Sequence, residues 1–227
     1  MALTSVAVLY GSINSNSTLF RLAHLQSLNL ADNHFNYSQI PSQVGNLSRL
    51  TYLTYSLFSG QIPFEISKLS QLSSLDLCCN YDFSLGKHLQ FKDLSLTSLV
   101  GNLTHIENLG LSGVSIFSMV PNIFANLSNL RSLYLHDCGM HELPTSMGNF
   151  GSLIALNIGG CNFSGSIPSS IGNLTNLIYL KLSSNTLVGN IPSSIGNLIQ
   201  LAFLDLYDNQ FPGPISFGLT NLTTGCP

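Results

Sequence analysis

The run Leu174-Thr-Asn-Leu177-Ile-Tyr-Leu180-Lys-Leu182-Ser-Ser-Asn185-Thr-Leu187-Val-Gly189-Asn-Ile191-Pro192 reads L-x-x-L-x-x-L-x-L-x-x-N-x-L-x-G-x-I-P, and Gly196-Asn197-Leu198 begins the next copy. Working outward, the first leucine of each L-x-L core recurs at Leu28, Leu53, Leu75, Leu109, Leu133, Leu156, Leu180 and Leu204, in steps of 25, 22, 34, 24, 23, 24 and 24 residues. An earlier partial copy survives at Leu9-Tyr-Gly11-Ser-Ile13, and a later one begins at Asn221-Leu222. In a strand, successive side chains alternate between faces, so each L-x-L buries its leucines and turns the residues between them to an open face. One copy cannot bury its own leucines, but stacked copies share a continuous core.

A period of roughly 20–29 residues with this leucine spacing predicts an α/β leucine-rich repeat solenoid. One domain is expected over residues 1–227, with a curved parallel sheet in front and short helical, 3-10 and extended segments behind. Strands stacked at roughly 4.8 Å would make the ribbon on the order of 40 Å long. Two copies depart from the period. Leu53 to Ile62 takes nine steps where Leu180 to Ile191 takes eleven, and the strand-end asparagine is missing there. That copy reads as decayed, the other reading being a tightened coil. Residues 81–100 lengthen another copy by ten and are expected to form an irregular, solvated insertion carrying Asp82, Lys87, Lys92 and Asp93.

The chain is 44% hydrophobic but only 7% charged, far below the usual quarter, and Asn, Ser and Thr supply the polar surface. A net charge of -3 without any basic run excludes a nucleic-acid groove. Such a weakly charged solenoid needs another source of solvation. Eight Asn-x-Ser/Thr sequons provide one, at Asn16, Asn36, Asn46, Asn102, Asn126, Asn162, Asn173 and Asn221. Asn46, Asn102, Asn126 and Asn173 each lie seven residues ahead of a strand leucine, and Asn221, 24 residues after Asn197, holds the same place in the period. That place is on the back of the coil, and no sequon falls on the strand face. Sugars placed so would clothe the outside and leave the inner face free, which points to an extracellular chain.

The chain resembles the ectodomain of plant leucine-rich-repeat receptor-like proteins of the disease-resistance kind. The resemblance rests on Gly60-Gln-Ile62-Pro63, Gly165-Ser-Ile167-Pro168 and Gly189-Asn-Ile191-Pro192, and on Gly-Asn-Leu linkers at Gly45, Gly101, Gly172 and Gly196. It extends to Leu9-Tyr-Gly-Ser-Ile-Asn-Ser-Asn-Ser-Thr-Leu19-Phe20 and to Leu127-Ser-Asn-Leu-Arg-Ser-Leu-Tyr-Leu-His-Asp-Cys138-Gly139. What it implies is a cell-surface region that binds a protein, peptide or cell-wall-derived ligand, with defence signalling left to a partner receptor kinase. Intact family members carry a signal peptide, capping cysteines, more repeats and a membrane helix. Here the first ten residues lack a basic segment and a long apolar run, and no stretch of 18 apolar residues occurs. The expectation is an N-terminal piece of such a receptor. The alternatives are a soluble wall protein inhibiting a pathogen's pectin-degrading enzyme, and a non-functional receptor fragment.

The period assigns side chains to jobs. Asn33, Asn80, Asn185 and Asn209 each follow a core leucine by five residues, and Cys138 and Cys161 hold the same place in adjacent copies, while Val114 interrupts the row. Buried amides at that place are expected to satisfy turn backbone of their own coil and of the next. The thiols are expected to stay free; Cys78 and Cys79 are consecutive and Cys226 has no evident partner. On the open face, aromatic and charged groups gather toward the C-terminal half. The ligand-binding candidates are Tyr134, His136, Asp137, Asn157, Tyr179, Lys181, Phe203, Asp205, Tyr207 and Asp208. His136, Cys138 and His141 lie close in sequence, but the register sends them to the face, the core and the region past the turn. No metal, cofactor or catalytic site is expected.

Overall fold

The computed structural model describes residues 9–82, 84–91, 96–116, 124, 126–140, 143 and 145–212. Lys92, Asp93, His141, Asn221 and Cys226 lie outside them. Each repeat gives one strand to an eight-stranded parallel sheet that runs in chain order: Ser27–Leu30, Tyr52–Tyr55, Ser74–Asp76, Asn108–Gly110, Ser132–Tyr134, Ala155–Asn157, Tyr179–Lys181 and Phe203–Asp205. Leu28, Leu53, Leu75, Leu109, Leu133, Leu156, Leu180 and Leu204 stand directly opposite one another across that sheet. The period read from the sequence is therefore the strand register. From Leu53 to Leu180 these leucines are sealed in the core.

Four residues past each of these leucines the chain turns through a left-handed residue. Asp32, Leu57, Cys79, Gly113, Asp137, Gly160, Ser184 and Asp208 have φ between 55 and 77°. Behind the sheet, Pro41, Pro63, Pro168 and Pro192 each open a 3-10 helix, at Ser42–Asn46, Phe64–Lys68, Ser169–Asn173 and Ser193–Asn197. Proline suits that place because its φ is preset and no N–H is needed at a first turn. Just upstream, Gly60, Gly165 and Gly189 have φ of 83, 76 and 75°, which an L side chain resists. There Ser164–Gly165 pairs in parallel with Thr186–Leu187, a small second sheet beside the ribbon. The Gly-Asn turns have a packing reason. A Cβ on Gly148 or Gly172 would run into Ser170 or Ser194 of the following coil.

The two irregular copies are both built. In the shortened one, Phe58 occupies the asparagine's place and packs against Phe35 and Tyr55, with ring centroids 5.0 and 5.1 Å apart. Leu53, Phe58 and Ile62 are fully buried, and the Phe58 N–H donates to Asn80 Oδ1 at 2.7 Å. The coil is tightened around an aromatic core. In the lengthened copy, Tyr81–Asp82 pairs antiparallel with Lys87–Gln90 as a hairpin, and Leu89–Gln90 pairs in parallel with Gly60–Gln61. A short helix, Leu96–Val100, then buries Leu96, Leu99 and Val100. Within the expected irregular insertion there is thus a strand pair and a short helix. Tyr37 Oη donates to Asp82 Oδ2 at 2.6 Å, tying the hairpin to the coil of Phe35.

Candidate functional site: the concave face

The concave face is held flat by side chains beneath and beside it. Asn185 Oδ1 accepts from the Cys161 and Phe163 N–H groups, and its Nδ2 donates to the carbonyls of Ile158, Leu182 and Ser183. Asn80 and Asn209 repeat the pattern on the Tyr55 and Leu182 carbonyls, and Asn33 Oδ1 accepts from the Leu9 N–H. The direction differs from expectation. These amides bridge to the preceding coil, whose turn N–H groups face them. Cys138 and Cys161 are free thiols and donate to the carbonyls of Leu111 and Leu135, again one coil earlier. Burial pushes the Cys138 thiol far up.

A second row escaped the sequence reading. Four residues ahead of the core leucine, Asn129 Nδ2, Ser152 Oγ and Asn176 Nδ2 donate to the carbonyls of Thr104, Ser128 and Gly151, and His105 Nδ1 lies 3.1 Å from the Ser70 carbonyl. The available signal was a polar residue recurring at that fixed offset. Beside this row, Glu107, Arg131, Ile154 and Ile178 line a shallow groove of about 380 Å³ along the N-terminal ends of the strands.

The face itself brings some predicted residues together and separates others. Tyr179 and Phe203 stack with ring centroids 4.5 Å apart and planes 4° apart. Beside them, Lys181 Nζ and Asp205 Oδ2 form an ion pair at 3.5 Å. Burial works against the Asp205 charge, but the Ser183 hydroxyl, the Tyr207 N–H and Lys181 together hold its carboxyl below the ordinary range. His136 sits between neighbours, Nδ1 2.9 Å from the Gly159 carbonyl and Nε2 3.1 Å from Asp137 Oδ2. Tyr134 stands alone, two strands from the Tyr179 strand, and Tyr207 is the most open aromatic of the group at 78% exposure.

Four candidates prove to have backbone work. Asn157 Oδ1 accepts from the Gly159 N–H and Asp205 Oδ1 from the Tyr207 N–H, each at 3.1 Å, turns that Asn and Asp favour. Asp137 and Asp208 occupy the left-handed turn position, which short polar side chains tolerate. Their carboxylates therefore rim the face. Glycines notch it: a Cβ on Gly110 would meet Asp76 and Cys78, and one on Gly159 would meet His136 and Lys181. Cys78 faces this surface, its thiol pushed up to about 12 by burial and by the Asp76 hydrogen bond. Cys138 is in the core and His136 on the face, so the two diverge; among the described residues no group of three His, Cys, Asp or Glu is placed to hold a metal ion. The seven described sequon asparagines, Asn16, Asn36, Asn46, Asn102, Asn126, Asn162 and Asn173, are all exposed and none belongs to a strand of the sheet.

Residues 24–47, 152–174 and 176–198 match the Leucine Rich Repeat family model, and the in-register parallel ribbon is the architecture of that class: the chain is a leucine-rich-repeat solenoid. Its repeats are similar to those of plant receptor-like proteins. Over 138 residues the chain is 39% identical to Receptor-like protein 6 of Arabidopsis thaliana, an overlap of 60% of this chain and 14% of that protein. Among solved structures, the ectodomain of the Arabidopsis thaliana receptor kinase GASSHO1/SCHENGEN3 superposes with a TM-score of 0.80 at 29% identity, over 96% of this chain and 26% of that one. The Arabidopsis receptor kinase HAESA, solved with the peptide hormone IDA and the co-receptor SERK1, also gives 0.80, at 25% identity over 96% of this chain and 39% of that one. The chain spans between 12% and 20% of the length of the curated relatives it matches. Among the described residues no helix is long and apolar enough to cross a membrane.

Proposed function

We propose that this chain is the ligand-recognition region of an extracellular plant receptor-like protein, taking a peptide or protein on its concave face and acting in defence through a partner receptor kinase. The observation that carries the reading is one continuous open face. Eight in-register strands present the Tyr179–Phe203 stack and the Lys181–Asp205 pair on one side, while every described sequon lies off it. Stacked aromatics give contact area at small entropic cost, as hot spots do. The likeness to HAESA, a receptor solved with a peptide hormone and a co-receptor, supports a peptide ligand and a second receptor chain.

The test is binding of peptide fractions from plant cell wall and pathogen culture to the secreted, intact chain, measured by interferometry. Tyr179→Ala with Phe203→Ala is expected to weaken the response at least tenfold, the scale of a lost hot spot, and Asn126→Gln on the back to leave it unchanged. Equal loss from both variants would sink the assignment to the concave face. Inhibition of a fungal pectin-degrading enzyme by the same chain would favour the soluble-inhibitor reading instead.

A further inference from the structure

Charge on this molecule is segregated in a way the net value of -3 conceals. The positions that line the concave face are those one before, one after, three after and four after each core leucine. Among the described residues they hold five carboxylates, Asp32, Asp76, Asp137, Asp205 and Asp208, against one ammonium, Lys181, and the last four repeats hold three of these carboxylates and the ammonium. The other described basic residues lie elsewhere. Arg21 and Lys68 close 3-10 helices, Arg49 is in a back turn, Lys87 is on the hairpin, and Arg131 precedes its strand. Lys181 is already paired with Asp205. Asp208 is exposed and has no ion-pair partner among the described residues, and Asp137, half-buried against Gly160, has only the His136 ring as a charge partner among them. A concave surface lined with one sign of charge focuses its field outward and draws the opposite sign.

The aromatic stack adds a second, independent anchor. Its planes are nearly parallel and its spacing matches the strand spacing, so the rings stand edge-on to solvent with their faces directed along the ribbon. Phe203 covers one face of Tyr179. The other faces the preceding strand, where Ala155 stands in register and reaches only to the floor of its layer. One aromatic ring of a ligand fits that layer, stacked on Tyr179 as Phe203 is on the far side.

We infer that the concave face of the last four repeats takes an extended cationic peptide, its Arg or Lys side chains against Asp137 and Asp208 and one aromatic side chain stacked on Tyr179 over Ala155. This rests on the proposed function and specifies its ligand. Asp208 follows the exposed Tyr207 in the chain, so both a carboxylate and an open aromatic are offered to a basic side chain at that end of the face.

The experiment is selection of a displayed random 12-residue peptide library on the intact, secreted chain, followed by affinity measurement of the enriched synthetic peptides. The bound pool is expected to be enriched in Arg, Lys and aromatic residues, with affinity falling as salt rises. Asp137→Asn with Asp208→Asn should weaken those peptides by roughly threefold to tenfold, as two part-exposed charge pairs would. Asparagine tolerates the left-handed turn, and an unchanged thermal midpoint shows that the fold is kept. Tyr179→Ala should remove the aromatic preference and leave the basic one. An acidic or charge-neutral pool, or binding indifferent to the two Asn substitutions, overturns the cationic assignment while peptide binding stands. A library that yields no enriched sequence overturns the peptide-binding reading itself.

Discussion

Asn185 and Cys161 hold the same place in adjacent coils, yet they are unequal partners for the backbone. The amide of Asn185 accepts two N–H groups and donates to three carbonyls, whereas a thiol is a weak donor and a weak acceptor. Replacing Asn185 by Ala leaves the Cys161 and Phe163 N–H groups buried without that acceptor, each at about 1–3 kcal/mol. Asn185→Ala is therefore expected to cost roughly 2–6 kcal/mol in urea denaturation. Asn185→Cys should cost less, since Cys138 and Cys161 are tolerated at the same offset. A cysteine variant as unstable as the alanine one would refute the ladder argument. The offset of these residues was legible because it repeats along the chain. Their reach toward the preceding coil was not, since side-chain lean leaves no trace in spacing.

At the scale of elements, the lengthened repeat shows why local pattern ran out. Leu89 and the Leu96–Val100 helix are buried against the coil of Ile62, a contact between segments about 30 residues apart in sequence, and Leu89 is bonded on its other side to Ser115. The Asp82 carboxylate of the hairpin has one local and one nonlocal partner, Ser84 within the hairpin and Tyr37 from the coil of Phe35. The Ser84 hydroxyl, and after it the Tyr37 hydroxyl, lower the Asp82 carboxyl from 3.8 to about 2. A depressed carboxylate stabilises the fold above its ordinary value and loses that contribution as pH falls through its folded one. The hairpin tie should thus be intact above pH 4 and released as pH approaches 2. Carbon-detected NMR titration of Asp82 should show a higher midpoint in Ser84→Ala than in Tyr37→Phe, and both above the parent chain. A larger effect from Tyr37→Phe would contradict the order of the two hydrogen bonds. The shortened repeat teaches the same lesson: loss of an asparagine looked like decay, but Phe58 closes the gap with Phe35 and Tyr55.

For the whole molecule, the low charge of 7% requires another source of solubility, and the exposure of all seven described sequons supplies a place for it. Secreted from plant or insect cells behind a supplied signal peptide, the chain should lose mass on enzymatic deglycosylation. The glycans should also keep it from associating, so the deglycosylated chain should elute earlier or aggregate in size exclusion. An unchanged mass would remove the extracellular reading. Such sugars would cover the back and the edges and leave the concave face as the accessible protein surface.

What the sequence by itself determined is every quantity that depends on the period: the number of strands, their register, the core leucines, the ladder offset and the membership of each outward column. The period is a local property, and strand alternation converts it directly into inside and outside. The tertiary structure alone decided which outward residues meet. Tyr179 reaches Phe203, Lys181 reaches Asp205, and His136 reaches Gly159 across adjacent coils, while Tyr134 stays apart. Those meetings turn on rotamers and on small neighbours such as Ala155 and Gly159, which leave room above them. Residues about 24 apart in sequence become neighbours about 4.8 Å apart in space only once the coils stack.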